Sequence, residues 1–379
     1  MRPSLSSLFA SIGLAASLLA AAPTPPLPPA ATIPLDTDGG SPPFVRGRVK
    51  GTPFWFLLDT ASPSSFGRKQ SQRLGLPDGL TLGELAIDLS GITVTLPSLA
   101  VADLDARQLA LGHRLDGVLG SEFFARFVVT LDFQAGTLTL RDAKDSRFRE
   151  KGQALPLAIE DGRPYVDAKV TPRGRDTLGG KFLVDTAAEG AVTLFSPFVR
   201  EHRLLPPPPT APAGSSGTMQ GIIRGETLEI GGQLLREPII TLSGASSGIL
   251  SDPGHAGSLG MDVLRRFRVT FDAARGRMLL EKSPAFADPF DYDASGLSVQ
   301  PMGADLTTIE VRRVTPGSAG AQAGLEAGDL ILTVDGRPVG EITPRGVRRL
   351  FRMDRKQYAL SILRRGAILK LQLQCRRQI

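Results

Sequence analysis

Residues 55–62 read WFLLDTAS, in which four apolar residues are followed directly by the carboxylate of Asp59. The residues before Asp59 suit a buried strand, so its carboxylate faces a loss of hydration that raises its pKa unless partners or water compensate. A second copy, KFLVDTAA at residues 181–188, places Asp185 in the same setting 185 − 59 = 126 residues later. Two such carboxylates, one from each half of the chain, can share a single proton when they meet.

The similarity between the two halves extends past these aspartates. VLGSEFFARFVVTLDFQAGTLTL from Val118 aligns without a gap with SLGMDVLRRFRVTFDAARGRMLL from Ser258, an offset of 258 − 118 = 140 residues. A constant offset with several identical residue types indicates a duplicated unit. Each copy is predicted to form a short helix, a strand, a D-x-x-x-G turn and a second strand. The identical pairs at this offset are Gly120/Gly260, Phe127/Phe267, Thr130/Thr270, Asp132/Asp272 and Gly136/Gly276.

The second half is longer than the first. The offset grows from 126 to 140, so 140 − 126 = 14 extra residues lie between the two motifs of the second half. We place them in the Pro/Gly-rich segment 204–226. A loop that covers the site is therefore expected only from the second half, near Gly217 to Gly225.

Composition narrows the function classes. The 379 residues carry 44 Lys and Arg against 38 Asp and Glu, a net charge of +6 that is weak evidence for nucleic-acid binding, and we predict none. The sequence contains no zinc-ligand spacing and no phosphate-binding glycine loop, so no metal and no cofactor are predicted. The three histidines, His113, His202 and His255, are interpreted as ordinary surface or loop residues.

The N-terminal segment is typical of an exported protein. Residues 1–22 are interpreted as a signal peptide, because the apolar run is short for a membrane span, and residues 23–32 as a Pro-rich linker. An uncleaved membrane anchor is the alternative, and membrane contact is expected only in that case. Cys375 is the single cysteine, which excludes an internal disulfide framework. These features favour a periplasmic or secreted location.

The two aspartate motifs predict a site with a pseudo-two-fold axis. Carboxylates about 3 Å apart cannot both be ionised near neutral pH. The ionised one can take a proton from water while the neutral one donates to a carbonyl oxygen, which hydrolyses an amide without a metal or a covalent intermediate. Thr60 and Thr186 are expected to cross-bond the two turns. In the alternative interpretation each aspartate caps a buried turn and the lobes only bind a partner.

These motifs resemble the aspartic protease superfamily of the retropepsin-like type, with both lobes in one chain. The family pattern is two apolar residues followed by D-[ST]-[GA], and later two apolar residues followed by Gly. The resemblance implies a mainly β, bilobed acid-protease-like fold, with Asp59 and Asp185 as the catalytic dyad and Thr60 and Thr186 as its interlocking pair. The predicted lobes are residues 33–148 and 149–282. The segments compared are 57–61 with 118–120 and 183–187 with 258–260, where Ser258 departs from the apolar-apolar-Gly pattern.

The two motifs differ at the residue after the Asp-Thr-Ala triplet. Ser62 follows the first triplet and Ala188 follows the second. A hydroxyl that donates to Asp59 favours its ionised form. The hypothesis is therefore that Asp59 is the base and Asp185 holds the proton.

A different pattern begins after a linker at residues 283–295. Residues 311–339 and the helix predicted from Pro344 resemble a PDZ domain of the bacterial kind, through the pattern PGSAGAQAGLEAGDLILTVDG. The resemblance spans residues 296–379 and implies a small β sandwich or barrel with two helices. It also implies a peptide groove between the strand at Gly296 and the second helix, where backbone N–H groups near Leu297 and Ser298 bind a C-terminal carboxylate and the peptide adds a strand. The implied groove residues are Gly296, Leu297, Ser298, Val299, Val347, Leu350 and Phe351.

Two features of the predicted second helix have alternative interpretations. Phe351 suits either the groove or the core of the small domain. Arg345, Arg348, Arg349 and Arg352 suit either selection of acidic peptides or, as we favour, a solvated basic face.

The whole pattern predicts an exported aspartic endopeptidase that acts on protein or peptide substrates, with a PDZ domain that binds substrate or partner C-termini. The alternative is an inactive bilobed scaffold that acts through its PDZ domain.

Overall fold

A computed structural model describes residues 30–38, 40–77, 79–144, 151–205, 219–303 and 305–379. The predicted signal peptide lies outside the described residues, as do most of the Pro-rich linker and residues 206–218 of the longer second half. The described chain is mainly β, which confirms the predicted fold class. Its first strand begins at Ala31, two residues before the predicted start of the first lobe.

The first lobe runs from this strand to Asp142. Its core is built from alternating apolar residues on strands that pack around Phe54, Phe56 and Phe66. The strands are β1 (Ala31–Asp36), β2 (Phe44–Val49), β3 (Thr52–Leu58), β4 (Ser65–Gly67), β5 (Thr81–Leu82), β6 (Leu85–Leu89), β7 (Ile92–Leu96), β8 (Leu99–Ala102), β9 (Gly117–Leu119), β10 (Phe127–Asp132) and β11 (Thr137–Asp142). The helices are α1 (Arg68–Arg73), α2 (Asp105–Leu111) and α3 (Ser121–Arg126).

The second lobe repeats this arrangement, and one of its strands, Met219–Ile230, is 12 residues long. Within the predicted cover, Gly217 and Thr218 lie outside the described residues, and Met219 to Gly225 belong to that strand. The strands are β12 (Gln153–Pro156), β13 (Ala158–Glu160), β14 (Arg163–Pro172), β15 (Leu178–Val184), β16 (Val192–Leu194), β17 (Met219–Ile230), β18 (Gln233–Arg236), β19 (Ile239–Ser243), β20 (Gly257–Leu259), β21 (Phe267–Asp272) and β22 (Arg277–Lys282). The helices are α4 (Ser196–Glu201) and α5 (Met261–Leu264).

The lobes join through a shared sheet. Strands β10 and β21 pair antiparallel, with Thr130 opposite Thr270 and their hydroxyl oxygens 2.9 Å apart. These residues are equivalent in the duplication, so the local two-fold axis passes between them. The flanking β11 and β22 extend the sheet on either side. The axis therefore follows directly from the repeat at an offset of 140 residues.

The C-terminal unit is a separate small sheet with its own apolar core around Val311, Ile331 and Ile362. Its strands are β23 (Leu297–Met302), β24 (Thr308–Val314), β25 (Leu330–Val334), β26 (Arg337–Pro338), β27 (Gln357–Arg364) and β28 (Ala367–Gln374). Its helices are α6 (Ala319–Gln322), α7 (Val339–Ile342) and α8 (Pro344–Phe351). Strand β23 ends the sheet and pairs only with β24 among the described strands.

The segment predicted as a linker is anchored to the second lobe. Arg266 is 1% exposed, and its guanidinium donates to the carbonyls of Asp288 at 2.5 Å and Pro289 at 3.1 Å. It also lies 3.6 Å from the centre of the Phe290 ring. Burial lowers the pKa of Arg266 to about 10. A buried charge is tolerated only when its donors are satisfied, so these carbonyls fix the segment in place.

Candidate functional site

Each aspartate directly follows a strand that pairs with a parallel neighbour. In the first lobe β3 pairs with β9, and the Asp59 N–H donates to the Leu119 carbonyl at 3.0 Å. In the second lobe β15 pairs with β20, and the Asp185 N–H donates to the Leu259 carbonyl at 2.9 Å. Each pairing joins the Asp motif to the apolar-apolar-Gly motif of the same lobe. Both aspartates thus lie at equivalent positions around the two-fold axis.

The threonines after the aspartates lock the two turns together. The Thr60 hydroxyl donates to the Val184 carbonyl at 2.6 Å, and the Thr186 hydroxyl donates to the Leu58 carbonyl at 2.8 Å. Each hydroxyl also accepts the backbone N–H of the other threonine at 3.1 Å. Both residues are fully buried. The four bonds hold the two carboxylates at a fixed separation, as the sequence motif predicts.

The two carboxylates have different surroundings. Asp59 is 1% exposed; its Oδ1 accepts the Ala61 N–H at 2.8 Å and its Oδ2 accepts the Ser62 hydroxyl at 2.5 Å. Asp185 is half-buried, and its Oδ1 accepts the backbone N–H groups of Ala187 at 2.8 Å and Ala188 at 3.0 Å. The Ser62 bond is the contact proposed from the sequence, and the second lobe has Ala188 in its place.

The electrostatics of the site separate the two carboxyl groups further. Burial, together with the charge of Asp59, raises the pKa of Asp185 to about 6. A carboxyl with so high a pKa stays protonated in mildly acidic solution. This direction agrees with the hypothesis that Asp185 is the partner that holds the proton.

Sequence reasoning missed Arg107, which lies on α2 and forms an ion pair with Asp59 through Oδ2. Its side chain is one-third exposed, and it binds the same carboxylate oxygen as the Ser62 hydroxyl. The two residues are 48 positions apart in the sequence. No local motif marks Arg107, because the pair is made only when α2 packs beside the sheet.

An open cavity of about 510 Å³ lies beside the turn of the first aspartate. Thr60 to Pro63 line one wall, and α3 and the turn between β13 and β14 line the others. Arg163 closes one end, where its guanidinium donates to the Ala61 carbonyl at 3.0 Å. Phe124, Leu157 and Phe271 give the cavity apolar surface. An extended ligand that reaches the carboxylates can place a side chain here.

The predicted peptide groove of the C-terminal unit is altered at its carboxylate-binding end. Gly296 adopts φ +72°, and Leu297, Ser298 and Val299 begin β23 as predicted. The Gly296 N–H already donates to the Asp293 carboxylate at 2.6 Å, and the Leu297 N–H donates to the Ser295 hydroxyl at 3.1 Å. The prediction that the N–H group of Leu297 is open to a peptide carboxylate is therefore wrong in this arrangement, because an internal oxygen already accepts its bond.

The helix residues assigned to that groove are mostly internal. Val347 and Phe351 are 0% and 1% exposed and belong to the core of the small domain, while Leu350 is partly exposed at its edge. Of the two interpretations left open for Phe351, the structure shows the core.

The interpretation of the basic face of α8 as solvated is wrong. Its arginines face acidic residues of the two lobes, because α8 docks where the lobes meet. Arg345 pairs with Asp36 at 2.8 Å and is 4% exposed through its side chain. The other ion pairs are Arg348 with Glu189, Arg349 with Asp38 and Arg352 with Asp262.

Two of the three histidines are also more buried than predicted. His113 stacks on Phe44 with ring centres 4.0 Å apart and lies 3.4 Å from the Asp36 carboxylate. His255 stacks on Tyr165 at 3.9 Å in the second lobe. Their side chains are 13% and 10% exposed. The His113 contact, with Arg345, lowers the pKa of Asp36 to about 2.

The described residues contain no group of three or more His, Cys, Asp and Glu side chains placed to hold a metal ion. Among them, no helix combines the length and apolar character needed to span a bilayer.

Comparison with known proteins identifies the C-terminal unit. Residues 310–364 match the family model of the PDZ domain. This confirms the predicted PDZ domain, and PDZ domains bind peptides that add a strand to a sheet edge. No curated protein matches the chain at a significant level.

Two solved structures give more distant matches. Conglutin gamma, described as a unique basic 7S globulin from lupine seeds, is 14% identical with a TM-score of 0.40, over 66% of this chain and 94% of its own. An aminopeptidase N family protein from Idiomarina loihiensis is 20% identical with a TM-score of 0.20, over 24% of this chain and 15% of its own. The assignment of the lobes to an aspartic protease therefore stays a prediction.

Proposed function

We propose that the chain is an exported aspartic endopeptidase of the retropepsin-like type that hydrolyses peptide bonds between its two lobes. The observation that carries the proposal is the pair of equivalent Asp-Thr-Ala turns, cross-bonded through Thr60 and Thr186. A turn that only capped a strand has no need of a second copy locked to it by four buried hydrogen bonds.

In the proposed mechanism each carboxyl has its own role. Ionised Asp59 accepts a proton from water as the water oxygen bonds to the peptide carbonyl carbon, and neutral Asp185 gives its proton to the carbonyl oxygen. The diol then collapses: the C–N bond breaks, its electron pair stays on nitrogen, and nitrogen takes the proton from Asp59. A diol hydroxyl returns a proton to Asp185. The Ser62 hydroxyl stabilises the charge on Asp59 at the start of the cycle.

The PDZ domain would bring protein partners to this site. The unpaired edge of β23 suits an extended peptide that adds a strand, with backbone hydrogen bonds supplying most of the affinity. Capture of a free C-terminus requires displacement of Asp293 from the Gly296 N–H, so peptides that dock through an internal segment fit the loop as it stands.

The experiment is digestion of casein by the full chain between pH 3 and pH 8. Asp59→Asn and Asp185→Asn are compared with Asp176→Asn, which changes an exposed aspartate in the second lobe. We expect products from the wild type and the Asp176→Asn chain and none from the two dyad variants. Cleavage that survives in either dyad variant would overturn the proposal.

A second candidate is a non-catalytic bilobed scaffold that acts through its PDZ domain. The ion pair between Arg107 and Asp59 favours it, because a cation held on the base opposes removal of a proton from water. One variant distinguishes the two candidates. In an enzyme, Arg107→Gln should free the Asp59 base and raise the rate of casein cleavage, whereas in a scaffold it should produce no cleavage.

A further inference from the structure

The two-fold relation between the lobes predicts two equivalent half-clefts, one beside each aspartate. The first is the open cavity lined by Pro63, Gly162 and Glu122. The equivalent residues of the second half-cleft are Glu189, Gly40 and Asp262, since Pro63 and Glu189 each lie four residues after an aspartate of the dyad. Gly162 approaches Ser121 at the start of α3, and Gly40 approaches Asp262 and Arg265 of α5, so the two turns pack on equivalent helices.

The second half-cleft is occupied by helix α8 of the PDZ domain. Arg349 lies 2.7 Å from Asp38, and Arg352 lies 3.3 Å from Asp262. Arg348 lies 3.6 Å from Glu189, four residues beyond Asp185. Only about 30 Å³ remains between these side chains, against about 510 Å³ in the first half-cleft. A substrate chain that crosses both carboxylates needs both half-clefts, and here one of them is filled.

The same helix also holds α2, the element that carries Arg107. Arg348 donates to the last carbonyls of α2, Ala110 at 2.9 Å and Leu111 at 2.7 Å. Helix α2 lies beside β23, the strand whose unpaired edge would receive a peptide. The base of the dyad is thus connected to the PDZ groove through one short helix.

We propose that the PDZ domain is an internal inhibitor of the dyad, held in place by the basic face of α8 and released when an extended peptide pairs with β23. This inference rests on the proposed protease function. In the docked form α8 blocks the second half-cleft, and α2 keeps Arg107 on Asp59. Since α2 contacts β23, a peptide that adds to β23 would displace α2, so peptide binding and the docked form would exclude each other.

The strength of the docking contacts suits a reversible switch. Arg349 and Arg348 are 55% and 25% exposed through their side chains, their partners Asp38 and Glu189 are 22% and 32% exposed, and ion pairs that reach solvent contribute little stability. Only Arg345 is nearly buried, and two of its guanidinium nitrogens, Nε and Nη1, lack a hydrogen-bond partner. Several weak pairs and one incompletely satisfied cation give an interface that a peptide can compete with.

A charge swap between Asp38 and Arg349 tests the proposal. Asp38→Arg and Arg349→Asp each place like charges at the docking face, and the double variant restores an opposite pair. We expect either single change to speed cleavage of casein by roughly fivefold, the effect of about 1 kcal/mol on an equilibrium, and the double variant to return to the wild-type rate. Lys370→Asp, a charge reversal on the exposed face of β28, is the control and should leave the rate unchanged.

A second readout separates this inference from the protease proposal. Trp55 is the only tryptophan, and it packs on the cluster that contains Leu104 and Leu111 at the two ends of α2. In an Asp185→Asn background, which removes catalysis, Arg349→Asp should shift the Trp55 emission and Asp38→Arg should restore it. This measurement reports docking whether or not the chain cleaves casein.

The outcomes are distinguishable. A Trp55 shift that the swap reverses, without cleavage by any variant, supports the docking switch and rejects the protease function. Cleavage that depends on both aspartates but is the same in all charge variants, with no Trp55 shift, rejects the inhibitor and keeps the protease. Far-ultraviolet circular dichroism of each variant excludes loss of fold as the cause of a shift.

Discussion

The two lobes share a fold and a motif but differ around their aspartates. Asp59 is buried, bonded to Ser62 and paired with Arg107, whereas Asp185 is half-buried and accepts only backbone N–H groups among its described hydrogen bonds. The half-cleft on the Asp59 side is open, and the one on the Asp185 side is filled by α8. Duplication accounts for the symmetric frame, and the differences at Ser62, Arg107 and α8 give each carboxyl different surroundings.

Removal of either carboxyl is expected to have the largest effect. In the proposed mechanism Asp59→Asn loses the base and Asp185→Asn loses the acid, so both variants should lower kcat by roughly 10²- to 10⁴-fold, the usual contribution of general acid–base catalysis. Steady-state cleavage of a fluorogenic peptide by the full chain measures this. Activity equal to that of the wild type in one of the two variants would mean that only one lobe contributes to the reaction.

The cross-bonds between the turns should behave symmetrically, unlike the carboxyls. Thr60→Val and Thr186→Val each leave buried backbone groups without a partner, which costs roughly 1–3 kcal/mol per group in the free energy of unfolding. The double variant should lose less than the sum, because both hydroxyls hold the same two turns together and lie 3.4 Å apart. Urea unfolding of the three variants checks this, and strict additivity would contradict the interlocked arrangement.

The pH dependence of stability separates the aspartates. The folded-state pKa of Asp185 is raised to about 6 by burial and by the charge of Asp59, so its favourable contribution is present at acidic pH and is lost as the pH rises through about 6. Asp185→Asn should then be more stable than the wild type at pH 8 by roughly 1–3 kcal/mol. Below pH 4 this difference should vanish. Thermal unfolding across this range decides it, and a difference that does not change with pH would argue against a perturbed Asp185.

The smallest expected effect comes from the hydroxyl that distinguishes the turns. Ser62→Ala removes a donor that favours ionised Asp59, so the acidic limb of the pH–activity profile should move to higher pH. Ala188→Ser is the converse change and should move the higher apparent pKa down. The pH dependence of kcat/KM reports both values. An unchanged profile in Ser62→Ala would reject the assignment of Asp59 as the base but would leave the dyad intact.

Much of the candidate site could be predicted from short motifs in the sequence. Asp59, Thr60 and Ser62 are neighbours in the chain, and the strand before them is apolar because it is covered on both faces, so their arrangement follows from a strand that ends in a turn. The second copy of the Asp-Thr-Ala motif, 126 residues later, predicted Asp185 as its equivalent. The glycine-rich turns and the apolar core of the PDZ domain could be predicted for the same reason, because short stretches of sequence encode them.

Contacts between distant surfaces could not be predicted in this way. Arg107 meets Asp59 only because α2 packs beside the sheet, and nothing in its own segment marks it. The acidic partners of α8 are spread over both lobes, at Asp36, Asp38, Glu189 and Asp262, so its basic stripe looked solvated. The Asp293 carboxylate accepts the Gly296 N–H at the start of the PDZ domain, a contact that the composition of this segment does not predict.

Carbon-13 NMR titration of the aspartate side chains tests whether the two carboxyls share one proton. We predict that Asp185 titrates near pH 6 in the wild type and has a lower pKa in Asp59→Asn, where the neighbouring negative charge is gone. If Asp185 titrates in the usual range of about 4 and Asp59→Asn leaves it there, the two carboxyls do not interact and the dyad is contradicted.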